Sequence, residues 1–388
     1  MDFALDDEQS LLVATMRRWS ERVLRVWSAE SDRLGAPPAG LSSAALELGL
    51  LLDAVPVAAG GFLDADASYS HVARALRAAE LGRGCAALAA LCESNVEPAL
   101  AVARWGSAEA RAALFAALTA HGDRPAPEPT SSALASPRGL AVLAYDFYER
   151  LAIEDRGSGR LSLVGRLGPL PGLALAEYVL LIARAGGEPV IALLPTASAG
   201  AAVVACDPAP SGWRAAAWGW LELDRAVVPA ELVIAAGVGA RVRAEAILSW
   251  YRVGLAARAV GVAAAAVEHA AAYGEERIQF GRPIGRFESV AHLRDENETA
   301  IAAARLFALN AAWEIDRGAA SAADSASRAR DLAARVLARA AIDAVQIFGG
   351  YGFVNDFPVE KLMRDARPFE VLGGNEAFAR VLAHVEAA

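Results

Sequence analysis

Cysteine is scarce in this 388-residue chain. Its three thiols, Cys85, Cys92 and Cys206, lie in apolar or small-residue surroundings without metal-ligand spacing. That excludes a disulfide framework and predicts buried structural thiols in a reducing compartment, the cytoplasm. The five histidines are too scattered to propose a metal site, so no metal is expected. No glycine-rich dinucleotide fingerprint, phosphate loop or paired-histidine zinc motif occurs, which removes the common nucleotide-binding and zinc-hydrolase classes. Positive charge is in the minority. A formal net charge of -9 and a pI near 5.3 argue against nucleic acid or an anionic membrane surface as a partner. Long apolar runs are broken by Arg, Glu or Gly within about 18 residues, so no membrane span is expected. The start, MDFALDDEQSLL, is acidic and amphipathic, unlike a signal or transit peptide.

What is present suits a compact protein with a large core: 55% hydrophobic residues and 21% charged. In DDEQSLLVATMRRWSERVLRVW the apolar positions Leu11, Leu12, Met16, Trp19 and Val23 recur at helical spacing, with Asp6 or Asp7 as N-cap. AAGGFLDADASYSHVARALRAAELGRG reads as a glycine turn and an acid-capped helix stopped by Gly82 and Gly84. The Pro-, Gly- and Ser-rich stretch 122–139 sustains neither period and marks a linker or long loop. Short branched runs follow, LSLVG, EYVLLIAR, PVIALLP, AAVVACD and WLELDRAVV, separated by turns. From Gly239 the helical period returns, in a segment too long for an ordinary surface helix and lined with small residues that favour close packing. The predicted fold is α+β and mostly α. It comprises an N-terminal helical domain (1–121), a middle β-barrel-like domain (122–238) and a C-terminal four-helix bundle through which subunits associate (239–388).

Two segments interrupt the C-terminal helices. YGEERIQFGRPIGRFESVAHLRDE (273–296) places Arg277, Gln279 and Phe280 just before Gly281 and Pro283, and QIFGGYGFVNDFPVEKLMRDAR carries a double glycine. Together with MDFALDDEQ at the start and LDRAVVPAELVI closing the β unit, they resemble the acyl-CoA dehydrogenase family over nearly the whole chain. The resemblance implies FAD as cofactor, an acyl-CoA or acyl-carrier thioester as substrate, and a flavin reached from the adjacent subunit. Arg277, Gln279 and Phe280 would come from one helix junction, and Gln346, Gly349 and Gly350 from the next helix end. The chemistry agrees. Arg277 can offer a bidentate guanidinium to a pyrophosphate, and the two glycines leave no side chain to keep a backbone from phosphate or ribose. A dimer or a dimer of dimers follows from that arrangement.

The sequence also departs from the family. Dehydrogenation requires a carboxylate that takes the proton beside the carbonyl while the flavin takes the hydride. In relatives the base is a glutamate either after the Arg-Asp-Ala-Arg segment or on the long helix. Here those positions hold Gly373, followed by Gly374 and Asn375, which the resemblance implies contact the cofactor, and Tyr251, beside Arg252, which it implies binds substrate. Glu376 is the weak substitute; Glu370 and Glu245 are others, and Tyr251, with an unperturbed pKa near 10, is a poor base. Where relatives have flavin-contacting loop and strand motifs, this chain has LASPRGLAV around Pro137 and GPLP at 168–171, whose prolines offer no amide donors. Three readings follow: an acyl-CoA dehydrogenase-like flavoprotein acting on a thioester, a catalytically silent subunit completing the flavin site of a base-containing paralogue in a hetero-oligomer, or a flavoenzyme of the same fold with different chemistry.

Overall fold

The computed structural model describes residues 4–64, 68–120, 139–146, 150–185 and 187–374. Helix α1 (Asp7–Trp19) begins at Asp6, whose carboxylate accepts the Gln9 N–H while the Gln9 side chain accepts the Asp6 N–H. This reciprocal cap satisfies two otherwise orphaned donors. A π-helical turn at Ser20–Leu24 leads into α2 (Arg25–Leu34). Helices α3 (Leu41–Glu47), α4 (His71–Gly84), α5 (Ala86–Cys92), α6 (Val96–Trp105) and α7 (Ala108–Thr119) complete the first layer. The acidic cap expected for α4 comes from far along the chain. Ser70 is the local cap, and the Asp316 carboxylate accepts the N–H groups of His71 at 2.7 Å and Val72 at 3.1 Å. No local pattern could announce that pairing.

The middle unit contains β1 (Ala141–Tyr145), β2 (Leu151–Asp155), β3 (Leu161–Leu170), β4 (Tyr178–Ala185), β5 (Glu188–Pro195), β6 (Ala201–Ala205), β7 (Gly219–Val228) and β8 (Val233–Ala236). The expected barrel-like unit takes the form of two four-stranded sheets, ordered β1-β4-β5-β8 and β2-β3-β7-β6. All pairings are antiparallel except β1 with β4. The five branched runs of the sequence are β3 to β7. The short strands β1, β2 and β8 lack so clear a pattern: β1 is buried along four consecutive residues, and β8 has only four.

Helix α8 (Val238–Glu276) runs 39 residues and is followed by the two-residue strands β9 (Ile278–Gln279) and β10 (Arg282–Pro283), α9 (Glu288–Asp316), α10 (Ala322–Phe348) and α11 (Val359–Val371). By length and apolar composition α8 could cross a membrane, contrary to the expectation that charge interrupts every long apolar run. Its most apolar window, however, is 83% buried inside the fold, which makes it a core helix. Glycine allows α8 to lie against α4 at backbone distance. A Cβ on Gly261 would collide with the Ala79 carbonyl, and one on Gly82 with the Arg258 carbonyl. Cys85 and Cys92 are buried in this core as expected, while Cys206 is partly exposed.

Candidate functional site

The two C-terminal interruptions form one surface. Phe280 and Gly281 are the loop of the β9–β10 hairpin, both with positive φ, +50° and +79°, the signature of a primed two-residue hairpin turn. A phenylalanine rarely takes that conformation, and here its ring is 95% exposed, with only an edge towards Phe287. Arg277, exposed at the end of α8, lies 5.7 Å from the centre of the Tyr351 ring. One turn back, Tyr273 stacks on Phe348 at 4.2 Å and 12°. These contacts bring the hairpin beside the end of α10, where Gln346, Gly349 and Gly350 are exposed. Gly349 has φ +59° and ψ -132°, a combination that favours glycine. A Cβ at either glycine would meet nothing within 4 Å. Gln279 is exposed, its amide donating to the Ile278 carbonyl at 2.8 Å. An exposed guanidinium, bare backbone and open space fit the approach of a dinucleotide.

Gly373 and Tyr251, the positions where the family resemblance implies a base, are linked through Tyr145 in a closed place. Gly373 follows α11 with φ +80°. Its N–H donates to the Tyr145 hydroxyl at 2.7 Å, and its carbonyl accepts from Arg252 Nε at 2.9 Å. Arg330, a residue the sequence reading missed, donates to the carbonyls of Leu372 and Phe369, both at 2.9 Å. The carbonyls at the end of α11 are thus capped by cations, as a helix C-terminus favours. Arg252, expected at a substrate, is engaged with backbone here. Tyr251 packs against Tyr145, ring centres 5.9 Å apart, and burial pushes its phenol well above the ordinary range, leaving a proton donor at neutral pH. Gly374 also has positive φ, +76°. Asn375, Glu376 and Pro137 lie outside the described residues. Glu370 pairs with Arg367 at 2.7 Å, and Glu245 is exposed on α8.

A recess of about 30 Å³ beside Tyr251 is lined by Val142, Leu143, Pro171, Trp213 and a cluster of buried charge. Arg74 pairs with Glu97 at 2.7 Å and donates to the Trp250 carbonyl at 3.1 Å. Glu93 faces Arg77 at 3.4 Å and both Arg74 and Arg258 at 3.8 Å. Burial raises the Glu97 carboxyl, with Arg74 opposing. Polar residues in helical sequence ordinarily mark a solvated face, so nothing local announced this inward cluster. The recess holds about one water and does not fit a flavin ring. Next to it, β3 ends with a register shift between Leu167 and Leu170, around Pro169. A wider cleft of about 600 Å³ opens between α2 and the start of α11, but none of the candidate site residues lines it.

Known proteins place this geometry in context. The model of the acyl-CoA dehydrogenase N-terminal domain matches residues 6–121, and that of the acyl-CoA dehydrogenase C-terminal domain matches 237–384. An acyl-CoA dehydrogenase of Bacillus subtilis (strain 168) is 40% identical over 163 residues, 42% of each chain. The cyclohex-1-ene-1-carbonyl-CoA dehydrogenase of Geobacter metallireducens is 27% identical over 383 residues, 97% of each chain. In fold, the structure of butyryl-CoA dehydrogenase from Megasphaera elsdenii matches with a TM-score of 0.79 at 24% identity, covering 100% of both chains.

Proposed function

The chain belongs to the acyl-CoA dehydrogenase family, FAD-dependent oxidoreductases acting on the CH–CH bond of acyl-CoA thioesters, and from that premise we propose that its working flavin site is shared between two subunits. The units 1–121, 122–238 and 239–388 then divide the work. The middle unit and the Tyr251 end of α8 face the reacting centre, and the hairpin at the other end of α8 reaches a neighbour. One observation carries this reading. Tyr251 and Tyr273 are 22 residues apart on one unbroken helix, which puts the two half-sites about 33 Å apart within a chain. A single FAD can use both kinds of half-site only if they come from different chains.

In that assembly Arg277 would meet the pyrophosphate, with the Gly349–Gly350 backbone beside it and Gln279, Phe280 and Gln346 around the adenosine. When bound, the flavin supplies the hydride acceptor. This chain's own residues supply a partly buried phenol donor at Tyr251 and a glycine turn held by Tyr145 and Arg252; the positions aligned with the family's glutamate offer no carboxylate. The test is the absorbance spectrum and oligomeric state of the purified chain, alone and after Arg277→Ala. Flavin bound by an oligomer, and lost in the variant without unfolding, is expected. Unchanged flavin stoichiometry overturns the shared site.

A second reading has its own support. The Gly373–Tyr145 hydrogen bond and the small recess favour a subunit that completes the flavin site of a base-containing paralogue rather than holding a ring itself. Co-expression with such a paralogue separates the two: flavin found only in the mixed oligomer supports the silent-subunit reading.

A further inference from the structure

We propose that the recess beside Tyr251 recognises a small, uncharged, hydrogen-bonding group at the far end of a short acyl chain, and that Glu93 and Arg258 are the residues that recognise it. This deepens the first functional reading and rests on it, because it requires the chain to bind an acyl thioester at this place.

The recess is polar where an apolar chain would need it dry and greasy. Glu93 and Arg258 line it, and their side chains are 1% and 3% exposed. Glu93 Oε2 and Arg258 Nε lie 3.8 Å apart, too far for a hydrogen bond, and among the described residues neither atom has a hydrogen-bond partner. Arg74 Nε, also lining the recess, is in the same condition, 3.8 Å from Glu93 Oε1. A buried polar group left unsatisfied is costly, and more so when charged. A methyl end placed here would leave all three atoms so. A hydroxyl can donate to Glu93 and accept from a guanidinium at once.

Charge excludes other polar ends. The guanidiniums of Arg74, Arg77 and Arg258 are matched by the carboxylates of Asp53, Glu93 and Glu97. The cluster is therefore neutral. A carboxylate or ammonium entering it would be a buried charge without a counter-ion, which is strongly unfavourable. Size sets the remaining limit: about 30 Å³ is the share of one water, so a long chain has no place to end.

The test is calorimetric binding to the full chain, which needs no turnover. The probes are propanoyl- and butanoyl-CoA, their terminally hydroxylated counterparts, succinyl-CoA and octanoyl-CoA. The hydroxylated thioesters should bind about 10- to 100-fold more tightly than the plain ones, the range expected for one hydrogen bond to a charged group. Succinyl- and octanoyl-CoA should bind more weakly than either. Glu93→Gln removes one negative charge, so it should shrink the hydroxyl preference and improve succinyl-CoA relative to the parent; if that variant does not fold, the ranking by the parent protein decides alone. Plain thioesters binding as tightly as hydroxylated ones would overturn the recognition role while leaving the thioester reading intact. Failure of every thioester to bind would overturn both.

Discussion

The hairpin end of α8 and its Tyr251 end are opposites in access. At the hairpin, a phenylalanine is held 95% exposed at a positive φ, and two glycines face open space. At Tyr251, glycine is locked by hydrogen bonds from both sides, the phenol is partly buried against the core, and the free volume is small. An exposed aromatic in a sparsely populated conformation persists where something outside the chain makes use of it. A glycine turn tied to Tyr145 and Arg252 serves its own chain. The two ends of one helix therefore differ in kind: one leaves its aromatic and bare backbone to solvent, and the other satisfies its backbone within the chain.

The largest test of this contrast is kinetic. Without a positioned carboxylate, proton abstraction loses on the order of 10²–10⁴-fold. Straight-chain acyl-CoAs mixed anaerobically with the partner-free protein should therefore bleach bound flavin slower by that factor than they do in a glutamate-containing relative. Rapid bleaching would show that the closed end is competent. Next in size, Arg277→Ala removes the guanidinium of the open end and should weaken flavin retention about 10- to 100-fold, read as the ratio of flavin to protein absorbance after dialysis.

A smaller effect is expected at the closed end itself. Gly373→Glu puts a side chain on a backbone with φ +80°, its Cβ 2.9 Å from Leu255 Cδ1. It should cost about 1–3 kcal/mol and lower the melting temperature by a few degrees, with no gain in rate. A variant as stable as the parent and faster in bleaching would mean that the turn can carry a base after all. The smallest expected change is Tyr145→Phe, which removes the acceptor of the Gly373 N–H and should destabilise by about 0.5–1.5 kcal/mol. If that bond keeps the closed end shut, the same variant will take up more flavin in equilibrium dialysis than the parent. Equal uptake would assign the closure to the other groups around the recess.

The open end was legible because its signals are local. A double glycine, a Phe-Gly pair between helices and a flanking arginine are contiguous in sequence, and the fold merely brings two such segments side by side through Arg277–Tyr351 and Tyr273–Phe348. The closed end was legible only as absence: Gly373 and Tyr251 stand where a carboxylate was expected. What fills it instead depends on pairs remote in sequence. Tyr145 meets Gly373, Arg330 meets Phe369 and Leu372, and Glu93 meets Arg258. Buried charge defeats periodicity for a physical reason, since a helix whose polar residues face inward to one another carries the pattern of a helix facing water. The same holds for Asp316 capping α4, an ordinary acidic residue until its partner is known.

Helix α8 also acts as a gauge. Tyr251 and Arg252 sit towards one end and the hairpin at the other, with no break in the 39 residues, and Gly254 and Gly261 press it against Arg74 and the Ala79 backbone so that it cannot slide. Inserting one residue between Gly261 and Tyr273 would advance the hairpin about 1.5 Å and swing it about 100° around the helix axis. A seven-residue insertion would nearly restore the angle but add about 10 Å. Neither would leave Arg277 in its present direction relative to Tyr251, so this stretch should tolerate substitution far better than any change in length, whereas the surface turns between strands can absorb both.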